Sequence, residues 1–217
     1  MTPQLTWVAA YRIFFALLTL AAIIYQLFHS IDINPDFRVG NFFSFFTIES
    51  NIFAAVVLLA FGLNLVGSPP SRTAELVRGA AVLYMVTTGI VYGLLLSGYT
   101  DELQTATPWV NNVVHRIFPV VLLADWLIRP PAVRFSFREA LVWLTFPIAY
   151  LVYSLIRGPI VDWYPYPFLD PDEAGGYAGV AAVAIAIAVG AIVMTWLVTW
   201  VGNHLRLATR HESASSA

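Results

Sequence analysis

Residues 177–201 read YAGVAAVAIAIAVGAIVMTWLVTWV, 25 consecutive positions without a charged side chain. A helix rises about 1.5 Å per residue, so this segment can cross the roughly 30 Å hydrocarbon core of a bilayer. Comparable segments occur upstream, and the predicted spans are 7–28, 43–66, 74–97, 108–128, 137–156 and 177–201. The sequence therefore predicts an all-α, polytopic integral membrane protein with six transmembrane helices.

The composition of the whole chain agrees with this class. Hydrophobic residues make up 59% of the 217 positions and charged residues 11%, whereas soluble proteins carry about 25% charged residues. Six spans leave room for short loops only, so we expect one transmembrane domain over 1–207 and a disordered cytoplasmic tail over 208–217. The net charge of −2 predicts no nucleic-acid partner. The absence of cysteine excludes disulfides and thiolate chemistry.

The distribution of charge between the loops predicts the orientation. With a cytoplasmic N-terminus, the inner side carries seven arginines and the outer side two. The inner set is Arg72, Arg78, Arg129, Arg134, Arg138, Arg206 and Arg210, and the outer set is Arg38 and Arg157. The outer side then holds the acids Asp32, Asp36, Asp101, Glu102, Asp162, Asp170, Asp172 and Glu173. By the positive-inside rule, we expect a plasma-membrane protein with both termini in the cytoplasm.

Polar side chains at membrane depth gather near the start of the second and fourth predicted spans. They are Thr47, Glu49, Ser50 and Asn51 in the second, and Asn111, Asn112, His115 and Arg116 in the fourth. Both spans run from outside to inside, which places Thr47 ~6 Å and His115 ~10 Å below the outer boundary. We therefore expect the two polar faces to meet in the outer leaflet.

Thr47 and His115 together offer a specific chemistry. A threonine hydroxyl becomes a nucleophile when a base accepts its proton, and histidine is the side chain best suited to that near neutral pH. Ser50, Asn51 or Asn111 would orient the imidazole or donate to a developing oxyanion. The structural alternative is that these polar groups bond backbone carbonyls and join helices. Spacing alone leaves both interpretations open.

Two buried ion pairs are also predicted. Glu49 and Arg116 share an outer depth, and a structural clamp is the favoured role for that pair because pairing lowers the cost of burying each charge. Arg12 and Asp125 both lie toward the inner boundary, where a second clamp is the expectation. Alternatively, Arg12 extends to the lipid headgroups.

The loop between the fifth and sixth spans is rich in aromatic residues and proline, reading GPIVDWYPYPFLD over 158–170. Trp163, Tyr164 and Tyr166 would ordinarily anchor the chain at the membrane interface. The prolines stiffen this segment, however, so the other interpretation is a substrate lid over a lipid-facing pocket.

Short motifs give the chain a family resemblance. They are FFTIESN at 45–51, HRIFP at 115–119 with DW at 125–126, and WYP at 163–165 with LD at 169–170. With these motifs the chain resembles the bacterial "Pr-six-Pr" membrane proteins. That family is distantly similar to the eukaryotic androgen-induced protein and androgen-dependent TFPI-regulating protein, which are six-helix intramembrane threonine hydrolases.

The resemblance implies a Thr47 nucleophile and a His115 base acting on a membrane lipid or fatty acyl ester, without cofactor or metal. The alternative is a non-catalytic protein: a lipid-binding scaffold, a complex subunit or a small-solute transporter. The lack of an internal repeat and of a charge ladder through the spans argues against a secondary transporter. Haem binding by two axial histidines is not expected, because it needs a facing pair and only His115 lies well within the membrane.

Overall fold

The computed structural model describes residues 3–98 and 107–215, with side chains over 7–98 and 107–207. Within these ranges the chain is helical and has no β-strand. The helices are α1 (Pro3–Ile33), α2 (Val39–Phe42), α3 (Phe46–Gly62), α4 (Arg72–Val91), α5 (Pro108–Asn112), α6 (Phe118–Ile128), α7 (Phe137–Ala140), α8 (Thr145–Val161) and α9 (Tyr177–Ser215). Two π-helical segments, Tyr92–Leu96 and Val113–Ile117, and two 3₁₀ turns, Leu141–Leu144 and Pro167–Leu169, complete the order. Outside the described residues lie Asp101, Glu102 and the side chain of Arg210. The segment 208–217 was expected to be disordered, whereas α9 continues into it and ends at Ser215.

Four helical segments are long and apolar enough to cross a membrane: Trp7–Ile33, Arg72–Leu96, Phe137–Val161 and Tyr177–Leu207. The helix at the second predicted span, α3, is apolar but shorter, with 17 residues. The fourth predicted span, 108–128, is continuous helix but carries polar residues along its length. Helices thus occupy all six predicted positions, while four of them meet both criteria for crossing, and the six-span topology stays a prediction.

The surface of the helices is apolar over wide areas. Phe14, Leu94 and Ile160, for example, are 60%, 78% and 75% exposed. Soluble monomers rarely expose contiguous apolar patches of more than a few hundred Å². This surface, together with the four long apolar helices, is that of a helical membrane protein.

The core is organised around α4. This helix packs against α3 on one side and against α6 and α9 on others, while α1 packs along α3. The side chains of α4 from Ala81 to Met85 are almost completely buried in these contacts. The start of α4 is fixed by Ser71, whose hydroxyl accepts a hydrogen bond from the Ala74 amide at 3.1 Å.

The two ends of the helices differ in charge. One end, the basic end, contains the start of α4 and the ends of α3 and α6, with Arg72, Arg78 and Arg129. The other, the acidic end, contains the segment 162–176, with Asp162, Asp170, Asp172 and Glu173. The basic and the acidic loop residues, which the sequence predicted on different sides, therefore lie at opposite ends of the fold.

Gly79 lies where α4 meets the buried ring of Trp143. A Cβ atom at Gly79 would lie 2.2 Å from Cζ2 of Trp143. Because the ring is enclosed by other core residues, we expect Gly79→Ala to lower the free energy of unfolding by about 1–3 kcal/mol. Gly190→Ala in α9 is the control, since no heavy atom lies within 4 Å of its Cβ position. Thermal denaturation in one detergent compares the two, and equal melting temperatures would show that Gly79 is not tightly packed.

Candidate active site

Thr47 lies in the first turn of α3. The first amides of a helix have no partner within it, and the Thr47 amide donates to the Tyr166 hydroxyl at 3.2 Å. The Thr47 side chain is buried, and its Oγ1 lies 3.2 Å from Nε2 of His115. The structure thus brings together the two residues that membrane depth led us to expect in contact.

His115 lies within the π-helical segment Val113–Ile117. Pro119, four residues later, has no N–H to donate to the His115 carbonyl, and a missing bond of this kind favours a local widening of the helix. The Val114 carbonyl of the widened turn accepts a hydrogen bond from Nδ2 of Asn51 at 3.1 Å. This bond joins α3 to the π segment and so holds His115 beside Thr47.

Asn111 orients the imidazole of His115 from the opposite side. Its Oδ1 lies 2.7 Å from His115 Nδ1, and its Nδ2 donates to the Tyr92 hydroxyl at 2.6 Å. Because the amide donates toward Tyr92, Oδ1 accepts from Nδ1–H, and in the neutral imidazole this leaves Nε2, which faces Thr47, as the unprotonated nitrogen. The Tyr92 ring also stacks on the imidazole, with centroids 4.1 Å apart. Thr47, His115 and Asn111 therefore form a hydrogen-bonded chain of hydroxyl, imidazole and amide, which is the arrangement that nucleophilic catalysis requires.

Tyr166 brings the aromatic loop to this site. Its hydroxyl lies 3.4 Å from Thr47 Oγ1, and its ring packs between Phe45 and Phe168, with centroid distances of 5.6 and 5.1 Å. Burial raises the pKa of the Tyr166 phenol to about 12, so it keeps its proton near neutral pH. The N-terminus of α3 directs the positive end of its dipole to the same point. A negatively charged oxygen beside Thr47 would be stabilised by both groups.

An apolar cavity of about 210 Å³ opens beside Thr47. Its walls come from α3, α4, α8 and α9, and Phe168 and Leu169 of the aromatic loop also line it. Ile148 of α8 and Ile192 of α9 line the cavity while remaining 59% and 42% exposed. The cavity is therefore open between these two helices, on a surface that faces lipid.

Ser50 and Asn51, predicted as supporting residues, make contacts that hold helices together. The Ser50 hydroxyl lies 3.3 Å from the Thr47 carbonyl and 3.2 Å from Oγ1 of Thr88. Asn51 Nδ2 donates to the carbonyls of Thr47 and Val114, at 2.8 and 3.1 Å. These donors are already used by the backbone, so the geometry favours the structural alternative for both residues.

The predicted ion pair between Glu49 and Arg116 is absent from the part of the chain that the structure describes. Arg116 Nη1 instead donates to Oδ1 of Asn112 at 2.7 Å, and its guanidinium carbon lies 5.7 Å from the centre of the Tyr92 ring. Residues four apart on a helix share one face. Arg116 therefore finds a partner on its own helix, and the predicted pair was wrong.

Arg12 and Asp125 do form the second predicted pair. Arg12 Nε and Nη2 donate to the two carboxylate oxygens of Asp125 at 2.6 and 3.2 Å. Arg78 also binds this carboxylate, although the sequence analysis counted it only as an inner arginine. Its side chain is buried and donates to Asp125 at 2.9 Å. Arg78 also contacts Glu75 at 2.9 Å. The basic end thus contains a buried network of two arginines and two carboxylates.

Trp163 and Tyr164, predicted as lid residues with Tyr166, hold the aromatic loop against the helices. The Trp163 ring packs edge-on against Phe45 with centroids 5.4 Å apart. Tyr164 lies against Gly158, where a Cβ atom would come within 2.0 Å of its ring. The lining of the cavity includes neither ring, and Tyr166 is the member of the trio that contacts it.

Comparisons with protein-family models, with curated proteins and with solved structures returned no match for this chain. The family resemblance of the sequence motifs therefore stays a prediction. Function has to be inferred from the site itself, which is a buried threonine–histidine–asparagine chain at the wall of an apolar cavity.

Proposed function

We propose that this protein is an intramembrane hydrolase of fatty acyl esters, with Thr47 as nucleophile, His115 as general base and Asn111 as the group that orients the imidazole. The observation that carries the proposal is the 3.2 Å contact between Thr47 Oγ1 and His115 Nε2, at a cavity that Thr47 lines. A hydroxyl, a base and an orienting group in sequence are the components of nucleophilic acyl transfer.

The reaction proceeds in two halves. Thr47 Oγ1 attacks the ester carbonyl carbon and its proton passes to His115 Nε2, while the carbonyl oxygen becomes an oxyanion beside Tyr166. The bond between the carbonyl carbon and the alcohol oxygen then breaks, and His115 returns the proton to the leaving alcohol. Water next attacks the Thr47 ester with His115 as base. The fatty acid leaves as Thr47 regains its proton from His115.

The same proposal includes the orientation in the membrane. Six crossings with both termini in the cytoplasm place the basic end inside and the acidic end outside, as the positive-inside rule favours. Thr47 then lies in the outer half of a plasma membrane, and the substrate enters laterally between α8 and α9. Membership of the "Pr-six-Pr" family, with its distant threonine-hydrolase relatives, is part of this proposal and is supported by the motifs around Thr47 and His115.

Ala188 on α9 tests whether the cavity holds the acyl chain, because it lines the cavity. We expect Ala188→Trp to lower kcat/KM for a long-chain acyl ester of umbelliferone by at least tenfold, because the indole occupies space needed by the acyl chain. In an apolar pocket, one methylene group of the substrate changes kcat/KM by about 10- to 200-fold. Hydrolysis of the acetyl ester should be unchanged. The assay uses purified protein in nanodiscs.

Ala186→Trp is the matched control, because Ala186 is exposed on the same helix and is not among the residues that line the cavity. It should hydrolyse both esters at the wild-type rate. An equal loss in both tryptophan variants would remove the cavity from the mechanism. If the wild-type protein hydrolysed no acyl ester, the proposed function itself would be wrong.

A further inference from the structure

The cavity beside Thr47 is covered at the acidic end and open toward lipid. Thr47, His115 and Tyr166 are only 5%, 3% and 5% exposed. Phe168 and Leu169 of the aromatic loop line the cavity at the acidic end, whereas its opening lies between α8 and α9. A molecule that reaches Thr47 through this opening therefore comes from the apolar part of the membrane.

The walls of this cavity offer few polar partners to water. None of the described residues that line it is charged. The hydroxyls of Tyr84 and Tyr150, two of the lining residues, donate instead to the carbonyls of Trp143 and Ser44, each at 2.9 Å. A buried water molecule needs about two to four polar partners, and apolar cavities stay dry. Water is therefore held poorly in the cavity beside Thr47.

An alcohol, in contrast, has a defined place in the proposed reaction. In the first half-reaction, the alcohol oxygen of the ester lies beside His115 Nε2, which returns a proton to it as it leaves. By microscopic reversibility, the same position takes a second alcohol, whose proton passes to His115 while its oxygen attacks the Thr47 ester. A lipid alcohol enters where the first alcohol left, and burial of its chain against the apolar walls favours its binding.

We propose that this protein also transfers the acyl group from Thr47 to the hydroxyl of a membrane lipid alcohol, because the aromatic loop keeps water from the Thr47 ester. The inference rests on the proposed function, since it needs that ester. The alcohol oxygen forms a bond to the acyl carbonyl carbon, and the bond between this carbon and Thr47 Oγ1 breaks. The proton of the alcohol passes to His115 and then to Thr47 Oγ1. A new lipid ester and the free enzyme result.

A long-chain alcohol in the bilayer tests the transfer. The purified full chain in nanodiscs receives the palmitoyl ester of umbelliferone, with and without hexadecanol, and mass spectrometry quantifies palmitic acid and hexadecyl palmitate. We expect the hexadecyl ester to exceed the acid by about tenfold, because contacts in apolar pockets discriminate by about 10- to 200-fold. Methanol at the same concentration should give no methyl ester above the background of Thr47→Ala.

Phe168→Ser tests whether the aromatic loop excludes water. Phe168 lines the cavity, and a smaller, polar side chain there admits water at the acidic end. Because exclusion of water protects reactive intermediates from hydrolysis, the share of palmitic acid should rise severalfold in this variant. Phe43→Ser is the matched control, since Phe43 is 40% exposed and is not among the residues that line the cavity. It should give the product ratio of the wild type.

The products distinguish this inference from the proposed function. If umbelliferone were released and palmitic acid were the only acyl product with hexadecanol present, transfer would be overturned and hydrolysis would stand. Release of umbelliferone only with hexadecanol would support transfer and contradict hydrolysis, and no release in either sample would contradict both. The same product ratio in Phe168→Ser and Phe43→Ser would overturn the exclusion of water by the aromatic loop.

Discussion

His115→Ala is expected to lower kcat for acyl ester hydrolysis by about 10²- to 10⁴-fold, the contribution usual for a positioned general base. Without the imidazole, the proton of Thr47 Oγ1 has no acceptor at 3.2 Å, and the leaving alcohol has no proton donor. The measurement is the turnover of a long-chain umbelliferone ester by equal amounts of folded protein. Asn112→Ala is the control, because Asn112 is a neighbour on the same helix that bonds Arg116 instead of His115.

The structural alternative for His115 makes a different prediction. His115 is buried, with Asn111 on one side and Thr47 on the other. If its role were purely structural, His115→Ala would therefore lower the melting temperature markedly. The catalytic role predicts a loss of turnover far greater than the loss of folded protein. If activity fell only in proportion to the folded fraction, His115 would be a packing residue and the hydrolase proposal would lose its base.

Asp125→Ala is expected to lower the free energy of unfolding by about 3–5 kcal/mol. The Asp125 carboxylate is buried and binds two guanidinium groups, those of Arg12 and Arg78. Its removal leaves both positive charges in a low-dielectric environment with one shared carboxylate fewer, and uncompensated buried charge is costly. Denaturation monitored by circular dichroism in detergent measures the change.

Arg72→Ala provides the comparison for Asp125→Ala. Arg72 pairs with Glu139, but both side chains are well exposed, at 49% and 39%. Solvent screens exposed pairs, so we expect Arg72→Ala to change the free energy of unfolding much less than Asp125→Ala does. If the two variants were equally stable, the buried network at the basic end would have no special role in holding α1, α4 and α6 together.

The contact between Thr47 and His115 could be anticipated because depth in a membrane follows from residue number. Both helices were expected to run in the same direction, and a rise of about 1.5 Å per residue placed the two side chains at similar levels. Asn111 was identified for the same reason, one helical turn before His115. Tyr92 was missed, although its depth could be calculated in the same way. It lies five residues before the outer end of the third predicted span, which is ~8 Å below the outer boundary and thus close to the depths of Thr47 and His115.

Depth alone does not determine which way a side chain points around its helix. Glu49 and Arg116 were matched in depth, yet the structure pairs Arg116 with Asn112. The π-helical segment at Val113–Ile117 changes the angular positions of the residues around it, and a regular helical period does not show such a segment. Pro119 was the signal in the sequence that pointed to it.

Two further features depend on contacts between distant parts of the chain. Arg78 was counted as an inner charge, although Glu75 three residues earlier offered it a partner on the same face of α4. The cavity beside Thr47 forms between α4, α8 and α9, and the spacing of residues within each helix carries no information on that gap. The sequence therefore predicted the contact between Thr47 and His115 better than the cavity beside it.

Labelling with a long-chain alkyl fluorophosphonate, followed by peptide mapping, tests most directly whether Thr47 is the nucleophile. Thr87→Ala is the matched control, because Thr87 lines the same cavity. We predict an adduct on Thr47 in the wild type and in Thr87→Ala, and no adduct in Thr47→Ala. Undiminished labelling of Thr47→Ala, or an adduct mapped to Ser50 in the wild type, would contradict the assignment.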